Sequence, residues 1–125
     1  PGLTPTLGGA AHAAGLPFLP GVATASEVMG AIEMGFSRLK FFPAIAAGGL
    51  PTLRALAGPF ANVRFCPTGG ITAATAPDWL AEPLVACVGG SWIAKRGETD
   101  WAGITARARA AAALRPVGLS VPSAA

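Results

Sequence analysis

The amino-acid sequence predicts an α/β fold of the (β/α)8 TIM-barrel class, with this chain supplying about the last four βα units, half a barrel. Three observations carry that expectation. Short apolar runs recur at regular spacing, each run ends in a Gly or Pro breaker followed by a segment that can be helical, and the last two runs end in Gly-rich turns. Barrels place phosphate sites after strands seven and eight, where two successive glycine turns would fall. An open doubly wound parallel sheet is the rival reading of the same pattern.

The first run, Leu16-Pro17-Phe18-Leu19, ends at Pro20-Gly21. Thr24 then stands three residues before Glu27 and ahead of Val28, Met29, Ile32 and Met34, the capping-box signature of a helix start. The second run, Leu39-Lys40-Phe41-Phe42, closes on Pro43-Ala44, and a short helical segment from Thr52 to Ala57 stops at Gly58-Pro59. The third, Val63-Arg64-Phe65-Cys66, closes on Pro67-Thr68-Gly69-Gly70, after which Pro77-Asp78-Trp79-Leu80 opens a helix with Pro in its first turn. The fourth, Leu84-Val85-Ala86-Cys87-Val88, closes on Gly89-Gly90-Ser91 and precedes an Ala- and Arg-rich helix from Ile104 to Leu114. Runs that are apolar on consecutive residues are those covered on both faces, so a buried parallel sheet is expected. Residues 1–115 form the domain, and 116–125, punctuated by Pro, Ser and Gly, form a flexible tail expected to fray.

The chain has 125 residues, enough for one domain with a core but short of the roughly 200 to 250 of a closed barrel. Its 52% apolar and 12% charged residues exclude a disordered chain. The apolar stretches break well before the roughly 18 residues of a membrane span, and no basic start precedes one. A cytoplasmic protein without a membrane partner is expected. The net charge is +3, and Arg38, Arg54, Arg64, Arg96, Arg107, Arg109 and Arg115 are scattered without interleaved aromatics. That argues against a nucleic-acid surface and for a small anionic ligand. Cys66 and Cys87 lie inside apolar runs with no CxxC or His-rich company, so they read as buried free thiols, not as a zinc site or disulfide. His12 lies among alanines on a helix face, which favours a structural role. Glu27, Glu33, Asp78, Glu82, Glu98 and Asp100 fall mostly at helix starts or on helical surfaces, and none stands out as a general base. No metal and no cofactor are expected.

Lys40 is the chemical anomaly. It sits near the end of a strand-like run from Phe36 to Phe42 that only Ser37, Arg38 and itself interrupt. Desolvation disfavours an ammonium, and a free amine attacks a ketone to form a Schiff base. The competing reading is a strand lysine whose stem covers apolar surface while its head reaches water. Thr68-Gly69-Gly70 and Gly89-Gly90-Ser91 form a second constellation, since glycines let backbone N–H groups approach an anion, Thr and Ser hydroxyls add donors, and a following helix adds positive potential. Paired glycines also occur simply as turn formers.

The string Leu39-Lys40-Phe41-Phe42-Pro43-Ala44, with Gly48-Gly49 after it, resembles the Schiff-base signature of the class I aldolases that cleave 2-keto-3-deoxy-6-phosphogluconate (KDPG), some of which also act on 4-hydroxy-2-oxoglutarate (KHG). Pro1-Gly2-Leu3-Thr4, Pro20-Gly21-Val22-Ala23-Thr24, Gly58-Pro59-Phe60, Val63 to Ile71 and Val88-Gly89-Gly90-Ser91-Trp92 resemble the same family in order and spacing, so the likeness covers the chain to about Leu114. The resemblance implies a lyase giving pyruvate and glyceraldehyde 3-phosphate, with Lys40 forming the imine without a metal. It implies that Phe42 packs near the pyruvyl part, that Thr68, Gly69, Gly70, Gly90 and Ser91 hold the phosphate, and that the full-length protein is a homotrimer. Two features depart from the family. Ile45 stands where many relatives carry a glutamate, and the acid/base glutamate and carboxylate-binding arginine of the early strands have no counterpart here. The chain is therefore expected to be the C-terminal half of a barrel completed by a further segment or another chain. The alternative function is a catalytically incomplete, phosphate-binding half barrel.

Overall fold

The structure, a computed structural model, describes residues 2–117. Its elements run α1 (Pro5–Ala13), β1 (Gly21–Val22), α2 (Ala25–Glu33), β2 (Arg38–Phe41), α3 (Gly49–Ala57), β3 (Arg64–Phe65), α4 (Ala76–Leu80) and α5 (Trp101–Ala113). The strands form one parallel sheet in the order β1-β2-β3, with Gly21 opposite Lys40, Arg38 opposite Arg64 and Leu39 opposite Phe65. Parallel bridges from Phe65 to Val85 and from Thr68 to Gly89 carry the same order into a fourth segment. Neighbours in sequence are thus neighbours in space, joined by helical crossovers, as repeated βα units require. Among the described residues no pairing closes β1 onto the Val85 to Gly89 segment, so the sheet is open.

Helix α2 begins where its sequence signature places it. The Glu27 N–H donates to Thr24 Oγ1, and the Glu27 carboxylate accepts from the Thr24 N–H at 2.9 Å and from the Ala23 N–H at 2.7 Å. The Ala23 amide, opposed by partial burial and assisted by the Thr24 hydroxyl and amide, holds the Glu27 carboxyl below its ordinary value. A depressed carboxylate stabilises the fold above its unfolded-state value and loses that contribution as pH falls through the folded one. Thr24→Ala should therefore lower stability by about 1 kcal/mol near neutral pH. Thermal melts should show that difference shrinking as the solution is acidified below the ordinary carboxylate range.

Two expected strands differ from their sequence reading. The first lies at Gly21–Val22 and not at Leu16 to Leu19, where Leu16 is 66% and Leu19 is 42% exposed. Pro17 and Pro20 lack N–H donors, so the run between them cannot ladder, whereas the Pro20 and Val22 carbonyls accept from the Lys40 and Phe42 N–H groups at 2.7 and 3.2 Å. The fourth run makes isolated bridges only. Between its two bridges Cys66 and Pro67 face Ala86, Cys87 and Val88, and the extra residue breaks the ladder as a bulge does.

Burial alternates along the sheet. Leu39, Phe41, Phe65 and Val85 are buried with Val28 and Ala31 of α2, Leu53 and Ala57 of α3, and Trp79 and Leu80 of α4. On the opposite face Arg38 is exposed, while Lys40, Phe42, Arg64, Cys66 and Thr68 are half-buried. The expectation of cover on both faces is corrected, because helices pack on one face only among the described residues. Of the expected tail, Pro116 and Val117 are described, and the Val117 N–H donates to the Leu80 carbonyl at 3.0 Å. Residues 118–125 lie outside the described residues.

Candidate functional site

The period of a strand sends Arg38, Lys40 and Phe42 to the uncovered face while Leu39 and Phe41 enter the core. Lys40 is thus not embedded in a continuous apolar run. Its flanking residues point away from it, and its surroundings are set by the same-face neighbours on β1 and β3. Lys40 Nζ lies 4.9 Å from the centroid of the Phe42 ring. That ring in turn approaches Gly69, where a built Cβ would stand 3.4 Å from Phe42 Cε2. The amine, the ring and the first glycine turn therefore form one continuous surface at the C-terminal end of β2.

The two glycine turns come together across β3 and the fourth segment. The Gly89 N–H donates to the Pro67 carbonyl at 2.9 Å, and a Cβ at Gly89 would meet Thr68 Oγ1 at 2.5 Å. Gly69 and Gly70 have φ of 111° and 77°, in the left-handed region. The Thr68 and Gly69 carbonyls accept from the Ala44 and Ile45 N–H groups at 2.8 and 3.1 Å, which pins this turn to the one after β2. Ile45 itself packs on Gly70, whose built Cβ would lie 2.8 Å from Ile45 Cγ1. Among the described residues the backbone N–H groups of Gly70, Gly90 and Ser91 donate no intramolecular hydrogen bond. Grouped backbone donors of this kind suit an anion.

No helix opens directly from either turn. After Gly70, Thr72 and Thr75 bond each other's side chains and amides, so α4 begins only at Ala76. After Ser91 the chain is irregular until Asp100 caps α5 through the Gly103 N–H. The expected helix termini therefore do not adjoin the turns, and the loop amides and the Thr68 and Ser91 hydroxyls are the donors that remain. At Gly69 a side chain would stand 3.2 Å from the Ala44 nitrogen and 3.3 Å from Pro43 Cα. Gly69→Ala should cost about 1 to 3 kcal/mol, readable as a lowered melting temperature, because φ there is left-handed and the neighbours are backbone.

Glu27, Glu82, Glu98 and Asp100 are engaged as supports. Glu82 pairs with Arg54, Glu98 with Arg107, and Asp100 caps α5. His12 bonds the Met34 carbonyl at 2.8 Å and stacks on Phe36 at 4.6 Å, a structural role. Among the described residues there is no cluster of three or more His, Cys, Asp or Glu that could hold a metal, and no helix is long and apolar enough to cross a membrane.

Both cysteines are free, as the sequence suggests, but neither is fully buried. Cys66 is half-buried and Cys87 is exposed, and they lie on neighbouring segments that backbone hydrogen bonds join on either side of the pair. The Cys87 donor brings Cys66 down to about 6; burial opposes this, and the Thr68 hydroxyl and the Lys40 charge assist. Cys87 is pushed up by the same pairing, by burial and by the Cys66 charge, against a smaller pull from Arg38. Alkylation by iodoacetamide should therefore begin at Cys66 as pH rises through about 6, while Cys87 stays protonated into the alkaline range. Their positions one βα repeat apart were the available signal for this pairing.

The family model for KDPG and KHG aldolase matches residues 1–107. The 2-dehydro-3-deoxy-phosphogluconate aldolase of Zymomonas mobilis is 51% identical over 115 residues, spanning 92% of this chain and 55% of that protein. The KHG/KDPG aldolase of Escherichia coli is 52% identical over 93 residues, spanning 74% of this chain and 44% of its own. The crystal structure of the Zymomonas mobilis KDPG aldolase with 3-phosphoglycerate superposes with a TM-score of 0.92 at 49% identity, covering 96% of this chain and 57% of that one. The KDPG aldolase of Legionella pneumophila, with pyruvate captured as a covalent carbinolamine, superposes with a TM-score of 0.76 at 42% identity, covering 92% of this chain and 56% of that one. The chain thus spans about half the length of these relatives. With its core, its lysine-bearing central strand and its paired glycine turns matched together, the chain belongs to the KDPG and KHG aldolase family.

Proposed function

We propose that this chain is the Schiff-base half of an aldolase that cleaves KDPG to pyruvate and glyceraldehyde 3-phosphate, with 4-hydroxy-2-oxoglutarate as a second substrate. The observation that carries the reading is the placement of the Lys40 amine over Phe42, whose ring adjoins the Gly69 turn. The free amine of Lys40 attacks the C2 ketone and water leaves, giving a protonated imine. Loss of the C4 hydroxyl proton then breaks the C3–C4 bond, and the electron pair passes into the imine to form an enamine. Protonation at C3 and hydrolysis release pyruvate and restore the lysine. Phe42 packs against the pyruvyl carbons, and Thr68, Gly69, Gly70, Gly90 and Ser91 hold the phosphate through backbone amides and hydroxyls.

The open face of the sheet is read as the interior of a (β/α)8 barrel whose other half, carrying an acid/base carboxylate and a carboxylate-binding arginine, completes the site. Residues 1–115 are the half-barrel unit, and the assembled cytoplasmic protein is proposed to be a homotrimer. Borohydride reduction in the presence of pyruvate, followed by intact mass, tests the reading. One reduced pyruvyl adduct per chain is expected. Absence of an adduct from folded chain, with inorganic phosphate still slowing hydrogen exchange at the two glycine turns, would leave only a binding cup.

A further inference from the structure

We propose that Cys66 and Cys87 form a thiol–disulfide modification site, which closes into an intramolecular disulfide on meeting a low-molecular-weight disulfide. The site stands apart from the aldolase reading, because it rests on how the backbone brings the two cysteine-bearing segments together.

Two hydrogen bonds bracket the pair. The Ala86 N–H donates to the Phe65 carbonyl and the Gly89 N–H to the Pro67 carbonyl, each at 2.9 Å, so the residues flanking Cys87 are fastened to those flanking Cys66. Neighbouring strands lie roughly 4.8 Å apart, within the Cα separations of about 4.4 to 6.8 Å that a disulfide spans. The extra residue in the fourth segment breaks strict register at this point, so Cys87 lies among the three residues that face Cys66 and Pro67. Both cysteines are free, and the more exposed one, Cys87, offers a route for a reagent.

The groups facing the pair divide the labour. Lys40 and the Thr68 hydroxyl, 3.8 Å from Cys66 Sγ, favour the thiolate at Cys66, while Arg38 faces Cys87. Cys66 is therefore the attacking sulfur. Its thiolate displaces one thiolate from the disulfide reagent and forms a mixed disulfide. Cys87 then loses its proton, attacks the Cys66 sulfur and expels the second thiolate. The sum is two protein thiols and one reagent disulfide giving one protein disulfide and two reagent thiols. The new bond would tie the segments immediately before Thr68 to Gly70 and Gly89 to Ser91, joining the roots of both glycine turns.

The test treats the full chain with oxidised glutathione near neutral pH and reads intact mass. The expected product is lighter by two hydrogens, retains no glutathione and reverts with dithiothreitol. Cys87→Ser should trap one glutathione on Cys66, and Cys66→Ser should react at least about tenfold more slowly. Wild-type chain that stably retains glutathione, or that stays unreacted until denatured, would overturn the proposal. Since the wild-type product alone decides between these outcomes, the test survives a variant that fails to fold.

Discussion

Lys40→Arg should reduce pyruvate trapping by borohydride to background and lower any aldol cleavage by roughly 10³-fold or more, the scale of losing a covalent catalytic group. Arginine keeps the positive charge and most of the stem, and it can still lie over the Phe42 ring. It cannot supply a free amine, because a guanidinium is not deprotonated in proteins. The substitution therefore separates charge from nucleophilicity. Lys40 is half-buried on the uncovered face, and its side chain makes no hydrogen bond among the described residues. The fold should tolerate the change to within about 0.5 kcal/mol, so an unchanged circular dichroism spectrum should accompany the lost adduct.

Phe41→Ala should unfold the chain or leave it without fixed tertiary packing. Phe41 lies on the central strand, is fully buried, and hydrogen-bonds through its backbone to the segment that continues β3, as its N–H donates to the Cys66 carbonyl at 3.2 Å and its carbonyl accepts from the Thr68 N–H at 3.0 Å. Truncating a buried Phe costs about 3 to 5 kcal/mol in transfer and cavity energy. Whole domains are stable by only about 5 to 15 kcal/mol, and a sheet with one face uncovered belongs at the low end of that range. Met29→Ala, at a position 55% exposed, is the matched control. It should change stability by no more than about 0.5 kcal/mol, as surface substitutions do. Urea titration followed by near-ultraviolet circular dichroism measures both.

Much of this architecture was readable from local chemistry. The Thr24 and Glu27 spacing located a helix start to the residue, since a capping box satisfies backbone donors within one turn. The paired Gly69-Gly70 marked a turn whose left-handed φ favours glycine, and Gly89-Gly90 marked a close approach to Thr68 and Trp92. Non-local features were harder to read. The true first strand depends on which carbonyls Lys40 and Phe42 can reach, and nothing in Leu16 to Leu19 reports that. An apolar run does not say which side the helices cover; Leu39 and Phe41 enter the core while Lys40 does not. The candidate site followed the same division. Lys40 and the two turns were identifiable singly, but the contact of the Phe42 ring with Gly69 and the pairing of Cys66 with Cys87 arise from register between segments.

The proposed chemistry needs a single amine, and the chain offers two lysines, Lys40 and Lys95. Lys95 lies exposed in an irregular segment where its backbone N–H bonds Glu98 at 3.0 Å. Peptide mapping of wild-type chain reduced with borohydride in the presence of pyruvate compares them within one molecule. The pyruvyl mass should fall on the peptide containing Lys40, with Lys95 unmodified. Modification of Lys95 at equal or greater yield, or a folded chain with neither lysine modified, would contradict the assignment.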